Sequence, residues 1–209
     1  MRVDPHVHTM RSGHSSLKPS TIAKVARRRG IGAVAITDHD DIRSAVELSK
    51  EFPTIVGEEI SSDQGDVIGL FLSEHVPRDS AMEVMDRIRS QGGLVVIPHP
   101  FDSLRKEAVM SEEICAKADI IEVFNSRVVR GGDNDLARAF AKARSLPEIV
   151  GSDAHTSLEV GRAWVELDSI DTPEDFMRSL DGASRACRRS PAVVHLQTKM
   201  VKAFRRVVH

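Results

Sequence analysis

Imidazoles and carboxylates in this chain come in short groups, and each group follows an apolar run. His6 and His8 close the run that opens the chain, and Asp38 and His39 follow AVAIT at 33–37. Glu58 and Glu59 lie near the end of a run from Thr54 to Ile60, His99 follows LVVIP, and Asp153 and His155 follow EIVGS. Mixed imidazole and carboxylate donors suit Zn, Mn or Fe rather than calcium. In His6-Val7-His8 and Asp153-Ala154-His155 the donors are two residues apart, a spacing that points both side chains the same way on a strand. Each pair can therefore serve one cavity. A carboxylate such as Glu59 can bridge two ions, and the whole set exceeds what one ion uses, so two or three divalent metal ions are expected. Any single HxH or DxH is a weak signal, because a lone histidine after a strand is commonly a hydrogen-bonded core group. Five such groups at corresponding positions are hard to reconcile with chance.

The elements that must position these groups are legible as alternation. Strands are expected at 2–8, Ala33–Thr37, Thr54–Ile60, Val67–Leu72, Leu94–Ile97, Ile120–Phe124, Glu148–Val150 and Ala163–Leu167. Helical patterns fall between them at 19–30, 41–51, 80–91, 111–118, 133–144 and 172–180. Continuous apolar strands alternating with helices predict a largely parallel α/β sheet covered on both faces. About seven such units suit a closed or nearly closed barrel, with an open doubly wound sheet as the alternative. In a parallel barrel all carboxyl ends of the strands meet on one face, which brings the donor groups together. No GxGxxG or Walker loop follows any strand, which weakens the nucleotide-cofactor form of the open sheet.

The 209 residues fit one domain, or one domain and a tail, and 41% hydrophobic with 29% charged residues is a globular composition. No apolar run approaches the ~18–20 residues of a membrane span, and MRVDPHVHT lacks the pattern of a secretory signal. Two distant cysteines, Cys115 and Cys187, favour a reducing, cytoplasmic setting. The net charge of -2 hides an asymmetry: 22 basic against 31 acidic residues up to Asp181, then seven basic residues and no acidic one. We therefore divide the chain into a body, 1–181, and a basic amphipathic tail helix, 182–209. Its apolar stripe, Val193, Leu196, Met200, Phe204 and Val207, is expected to pack on the body. Its basic face either docks on the acidic body or contacts a polyanion such as nucleic acid.

The motifs DPHVHT at 4–9 with His14 beyond, ITDHD at 36–40, GEEIS at 57–61, IPHP at 97–100, EVFN at 122–125 and GSDAH at 151–155 resemble those of the PHP (polymerase and histidinol phosphatase) family. The resemblance covers residues 1 to about 170. It implies a distorted (β/α)7 TIM-like barrel with a trinuclear metal centre, and phosphoester hydrolysis by hydroxide generated on the metal. By motif it implies that His6, His8, Glu59 and Asp153 hold the first ion. Glu59 would bridge to a second that also takes His99, and His14, His39 and His155 would hold the third. Glu58 is expected to point away. Where the family usually supplies a further histidine, this chain has Asp66, which either replaces it or leaves the second ion weakly held. Asp4 and Asp38 are expected to orient ligand histidines, and His75, His195 and His209 to be surface residues.

For catalysis, the cation that meets the phosphoryl oxygens is sought in Arg127, Arg130 and Arg162, with Asn125 as a hydrogen-bond donor to phosphate. His39 or His155 is the candidate general acid. The expected substrate is a small phosphorylated metabolite or nucleotide. With 4% aromatic residues and no Tyr, little surface is left for base stacking. The alternatives are a nuclease or phosphodiesterase, a non-catalytic PHP-like subunit of a nucleic-acid complex, and a metal-dependent amidohydrolase. The last usually needs a bridging lysine, and no lysine here ends a strand.

Overall fold

The structure is a computed structural model that describes residues 1–208, with the backbone path alone for Lys202 and for 204–208. His209 and the side chains of Phe204 and Val207 lie outside the described residues. The strands are β1 (Arg2–Val7), β2 (Ala33–Ile36), β3 (Thr54–Ser62), β4 (Gly65–Leu70), β5 (Leu94–Ile97), β6 (Ile120–Asn125), β7 (Glu148–Gly151), β8 (Ala163–Glu166) and β9 (Arg185–Cys187). The helices are α1 (Pro19–Arg28), α2 (Arg43–Leu48), α3 (Ala81–Ser90), α4 (Glu112–Cys115), α5 (Gly131–Arg144), α6 (Pro173–Leu180) and α7 (Ala192–Val208). Among the described residues no helix is long and apolar enough to cross a membrane.

Local chemistry explains the boundaries. α1 starts at Pro19, whose missing N–H costs nothing in a first turn, and stops before Gly30, which takes a left-handed φ of 69°. Its Ile22, Ala23, Val25 and Ala26 form the buried face. The Ser80 side chain caps α3 by accepting from Glu83 N, and that of Thr172 caps α6 by accepting from Asp175 N. β2, AVAI, is buried along its whole length, as a strand covered on both faces must be.

The sheet order is β7-β6-β5-β4-β3-β2-β1-β8-β9. Beyond β7 the chain returns to β1: His8 N donates to Ala154 O at 2.9 Å, and Val7 bridges Ala154 in parallel. The seven strands β1 to β7 thus form a nearly closed, distorted barrel. The expectation of a largely parallel sheet needs correction. β4 runs antiparallel to both β3 and β5. Only Asp63 and Gln64 separate β3 from β4, and a connection that short cannot carry a parallel crossover.

The tail also differs from expectation. β9 pairs with β8, so Arg185–Cys187 belongs to the sheet and the body does not stop at Asp181. The helix α7 docks on the loop after β6, with Ser190 N donating to Ser126 O at 2.7 Å and Arg127 Nη2 donating to Thr198 Oγ1 at 3.0 Å. Among the described side chains of α7 Val194 is buried, while Val193, Leu196 and Met200 of the expected packing stripe are exposed. A polar anchor decides the helix's rotation, and the stripe follows.

Candidate metal centre

The strand ends deliver their donors to one buried cluster. Glu59, on β3, is at its middle. Its Oε2 lies 3.2 Å from His8 Nε2, 3.4 Å from His39 Nε2 and 3.5 Å from His6 Nε2, and its Oε1 lies 3.0 Å from His99 Nε2. Asp153 Oδ1 is 3.3 Å from His8 Nε2 and 3.7 Å from His6 Nε2. Among the described residues three donor groups are spaced to hold an ion: His6, Glu59 and His99; His6, His8 and Asp153; His8, His39 and Glu59. His14 and His155 join as rings, 4.4 Å apart centre to centre, with His155 also 4.4 Å from His8 and His14 5.2 Å from His39.

In four of the imidazoles the second nitrogen is engaged in a way that frees the first. His6 Nδ1 meets Glu122 Oε1 at 2.9 Å, His8 Nδ1 meets Ser12 Oγ at 3.1 Å, His14 Nδ1 meets Ser12 O at 2.8 Å, and His155 Nδ1 meets Asp153 O at 2.8 Å. An Nδ1–H donated outward leaves the Nε2 lone pair aimed inward, the arrangement that metal-binding histidines require. His6 Nε2 and His8 Nε2 then face each other at 3.0 Å. Four buried atoms at the centre lack any hydrogen-bond partner: Glu59 Oε2, His99 Nδ1, Asp153 Oδ1 and His155 Nε2. Buried polar atoms left unpaired are costly, and a divalent cation would satisfy this donor set. The residues fit a metal centre.

Charge in the cluster is out of balance without cations. Burial alone would lower the His6 and His8 pKa values, but Glu122 and Asp153 hold His6 well above the ordinary imidazole range, and Asp153 and Glu59 bring His8 to about 9. Burial and the charge of His8 push His14 down to about 3, and burial and His8 also depress His155. Burial would raise Glu59 and Asp153, yet His39 and His6 hold Glu59, and Arg105 and His6 hold Asp153, well below the usual carboxylate range.

Backbone geometry is bent to make the site. His99 has φ 33° and Asp153 φ 51°, both in the left-handed region that non-glycine residues avoid. Glu122 Oε2 holds the His99 N–H at 2.7 Å. Gly151 is required: a Cβ there would collide with Glu122 Oε1 and would come within 2.6 Å of His6 Cβ.

Several expected roles are relocated. Asn125 is not free for a phosphate oxygen, because its Nδ2 donates to Glu122 Oε2 at 2.9 Å and to Asp153 Oδ2 at 3.3 Å. Arg127 is buried in an ion pair with Glu159, Nη1 to Oε1 3.2 Å. Arg162 points to the tail, its Nε donating to Arg189 O at 2.8 Å, and Arg130 donates to Ser103 Oγ. Asp66 shares the Glu59 face of the β3–β4 hairpin but belongs to none of the three donor groups. Burial and the nearby Glu59 raise it to about 8, and it lines a cleft of about 320 Å³ with Ser61 and Lys106. Glu58 faces away, accepting from Val76 N and meeting His75 Nδ1 at 2.6 Å. Asp38 accepts from Thr9 N and Ser12 Oγ, steadying the hydroxyl behind His8. Asp4 instead binds backbone, Ser152 N and Gly161 N. His195 is half-buried rather than a free surface residue. Burial and the charges of Arg127 and Arg105 lower its pKa.

Residues that the sequence reading missed complete the centre. Glu122 orients His6 and His99, and a carboxylate inside the apolar run IIEVF is a signal that could have found it. Arg105, in the loop after β5, donates from Nη2 to Asp153 Oδ2 at 2.9 Å with 23% of its side chain exposed. Glu159 accepts from His155 N at 3.0 Å. Nothing in DSLRKE or TSLEVG marks these two.

Comparison with known proteins agrees with this geometry. The PHP domain model matches residues 4–60, and the PHP-associated model matches 131–183. The chain is 37% identical over 185 residues to the Methanocaldococcus jannaschii protein MJ0417, covering 84% of this chain and 75% of that protein. It is 27% identical over 222 residues to an Escherichia fergusonii protein named Probable phosphatase YcdX, covering 87% and 91%. Among solved structures, PsfC of Pseudomonas syringae shares the fold at TM-score 0.67 and 17% identity, covering all of this chain and 98% of that one. The lesion-specific endonuclease PfuEndoQ of Pyrococcus furiosus shares it at TM-score 0.61 and 21% identity, over 89% of this chain and 57% of that one. With the two family models together matching more than half of its residues, this chain belongs to the PHP family.

Proposed function

We propose that this protein is a metal-dependent phosphoesterase acting on the phosphate monoester of a small metabolite or nucleotide. The observation that carries this reading is the set of four unpaired buried donor atoms, on Glu59, His99, Asp153 and His155, beside the partly exposed guanidinium of Arg105. When bound, two or three Zn, Mn or Fe ions supply Lewis acidity toward phosphoryl oxygens and acidify a water. His6, His8, Glu59 and Asp153 would hold one ion. Glu59 and His99, with Asp66 nearby, would serve a second, and His14, His39 and His155 would serve a third where three are bound. Glu122, Asn125 and Ser12 hold the ligands in place.

Arg105 takes the role sought in Arg127 and Arg162. Its Nη2 is on Asp153 Oδ2 and its Nε lies 3.5 Å from Asp102 Oδ2, so Nη1 is the atom left to meet a phosphoryl oxygen. With 25% of its side chain exposed against 4% for His155, His39 is the candidate general acid in a centre of two ions, where its Nε2 is not a ligand and can carry a proton to the leaving oxygen. The two free cysteines suit a reducing compartment, and we place the protein in the cytoplasm.

A second reading, phosphodiester hydrolysis on nucleic acid, is favoured by α7. This basic tail helix is anchored on Arg127, and its His195 feels the charges of Arg105 and Asp153. Stripped protein reconstituted with manganese or zinc should cleave an aryl phosphate monoester faster than the matching diester. Faster diester cleavage would favour the second reading, and no cleavage of either with any metal would leave a scaffold.

A further inference from the structure

Arg127 and Glu159 form a buried pair that the proposed chemistry does not use. Glu159 is fully buried, and its Oε2 accepts three hydrogen bonds from one turn: His155 N at 3.0 Å, Thr156 N at 2.9 Å and Thr156 Oγ1 at 3.0 Å. That turn carries His155, whose Nδ1 is fixed on Asp153 O and whose Nε2 is left unpaired in the cluster. Arg127 Nη1 lies 3.2 Å and 3.3 Å from the two Glu159 oxygens. The other terminal nitrogen, Nη2, donates to Thr198 Oγ1 on α7 at 3.0 Å, and that hydroxyl in turn donates to Val194 O at 3.0 Å.

We infer that Arg127, Glu159 and Thr198 are positioning residues that couple the docking of the tail helix α7 to the metal pole containing His155. The inference rests on the reading of His155 as a ligand. The physical reason is that a buried carboxylate holds its place only while its counter-charge is held. A guanidinium is a rigid fork, so taking away the partner of one arm re-aims the other. Loss of the Thr198 hydroxyl therefore loosens Glu159, and with it the backbone N–H groups of His155 and Thr156. The Nε2 of His155 then no longer meets the cluster in one geometry. Outer groups of this kind typically change metal affinity about 10- to 100-fold.

The test uses the full chain loaded with zinc and titrated with a chromophoric chelator, so the readout is metal release and not turnover. Thr198→Val, which keeps the shape of the side chain, should release one ion per chain at about tenfold lower chelator than the native protein, with the other ions unmoved. Thr198→Ser, which keeps the hydroxyl, should restore the native profile. His155→Ala should lack that same ion. A native profile for Thr198→Val, or an equal defect in Thr198→Ser, overturns the coupling while leaving His155 a ligand. Full zinc occupancy in His155→Ala would remove the ligand reading itself.

Discussion

At residue scale this centre is built by outward bonds, which hold the second nitrogen of four of its imidazoles and so orient the first. Glu122, Ser12 and two backbone carbonyls take the Nδ1–H groups of His6, His8, His14 and His155. Arg105 is the one cation of the loop after β5 seen to reach the donor cluster among the described residues, bonded to Asp153 Oδ2. Arg105→Lys should raise both KM for an aryl phosphate and the inhibition constant of inorganic phosphate by about 10- to 100-fold. That corresponds to the ~1.5–3 kcal/mol of a hydrogen bond to a charged group. Unchanged phosphate inhibition would remove Arg105 from the substrate's path. The residues legible in sequence were those directly after apolar runs, because strand ends point to one face. Arg105 and Glu159 were not legible, since loops of ordinary polar composition bring them in.

At the scale of elements, close approach of β6, β7 and β1 is what lets Glu122 reach His6. Gly151 makes room for it. Gly151→Ala should destabilise folding by about 1–3 kcal/mol, the usual cost of overfilling a packed site. Urea unfolding at unchanged m-value would show it, and a shift below 0.5 kcal/mol by the same rough scale would count against the crowding argument. α4 makes a second prediction. Burial and Glu112 push the Cys115 thiol up to about 12, whereas Cys187 on β9 is exposed. Because the thiolate is the reactive form, native protein near neutral pH should take alkylating reagent at Cys187 only, and Cys115 should react after unfolding. Mass spectrometry of the labelled peptides decides. The sign follows from the raised value: the neutral Cys115 is compatible with the fold at all lower pH, and stability is lost as pH rises toward 12.

For the whole molecule, metal and fold are linked through the barrel's own closure. The segment after β7 that bonds to β1 also carries Asp153 and His155, so ions held there would tie the β7 end of the sheet to β1. Ligand at 100 times its Kd adds about 2.7 kcal/mol of stability. Chelation should therefore lower Tm by several degrees, and manganese or zinc should restore it. Calorimetry with and without chelator would test this, and identical melting would detach the ions from the fold.

Sequence alone determined the alternation of apolar strands and helices and the side of the barrel to which the strand ends point, whereas Asp153 and His155, two residues apart beyond β7, are aimed by the left-handed φ of 51° at Asp153 and not by strand alternation. The alternation and the side depend on local periodicity and on the direction of a parallel strand, which a one-dimensional pattern carries. Tertiary structure alone decided the antiparallel course of β4, the pairing of β9 with β8, and which arginine faces the centre. It also turned α7 so that Thr198 meets Arg127 while Leu196 and Met200 look outward. Those outcomes depend on hydrogen bonds between residues up to 71 positions apart, and no local pattern encodes such partners.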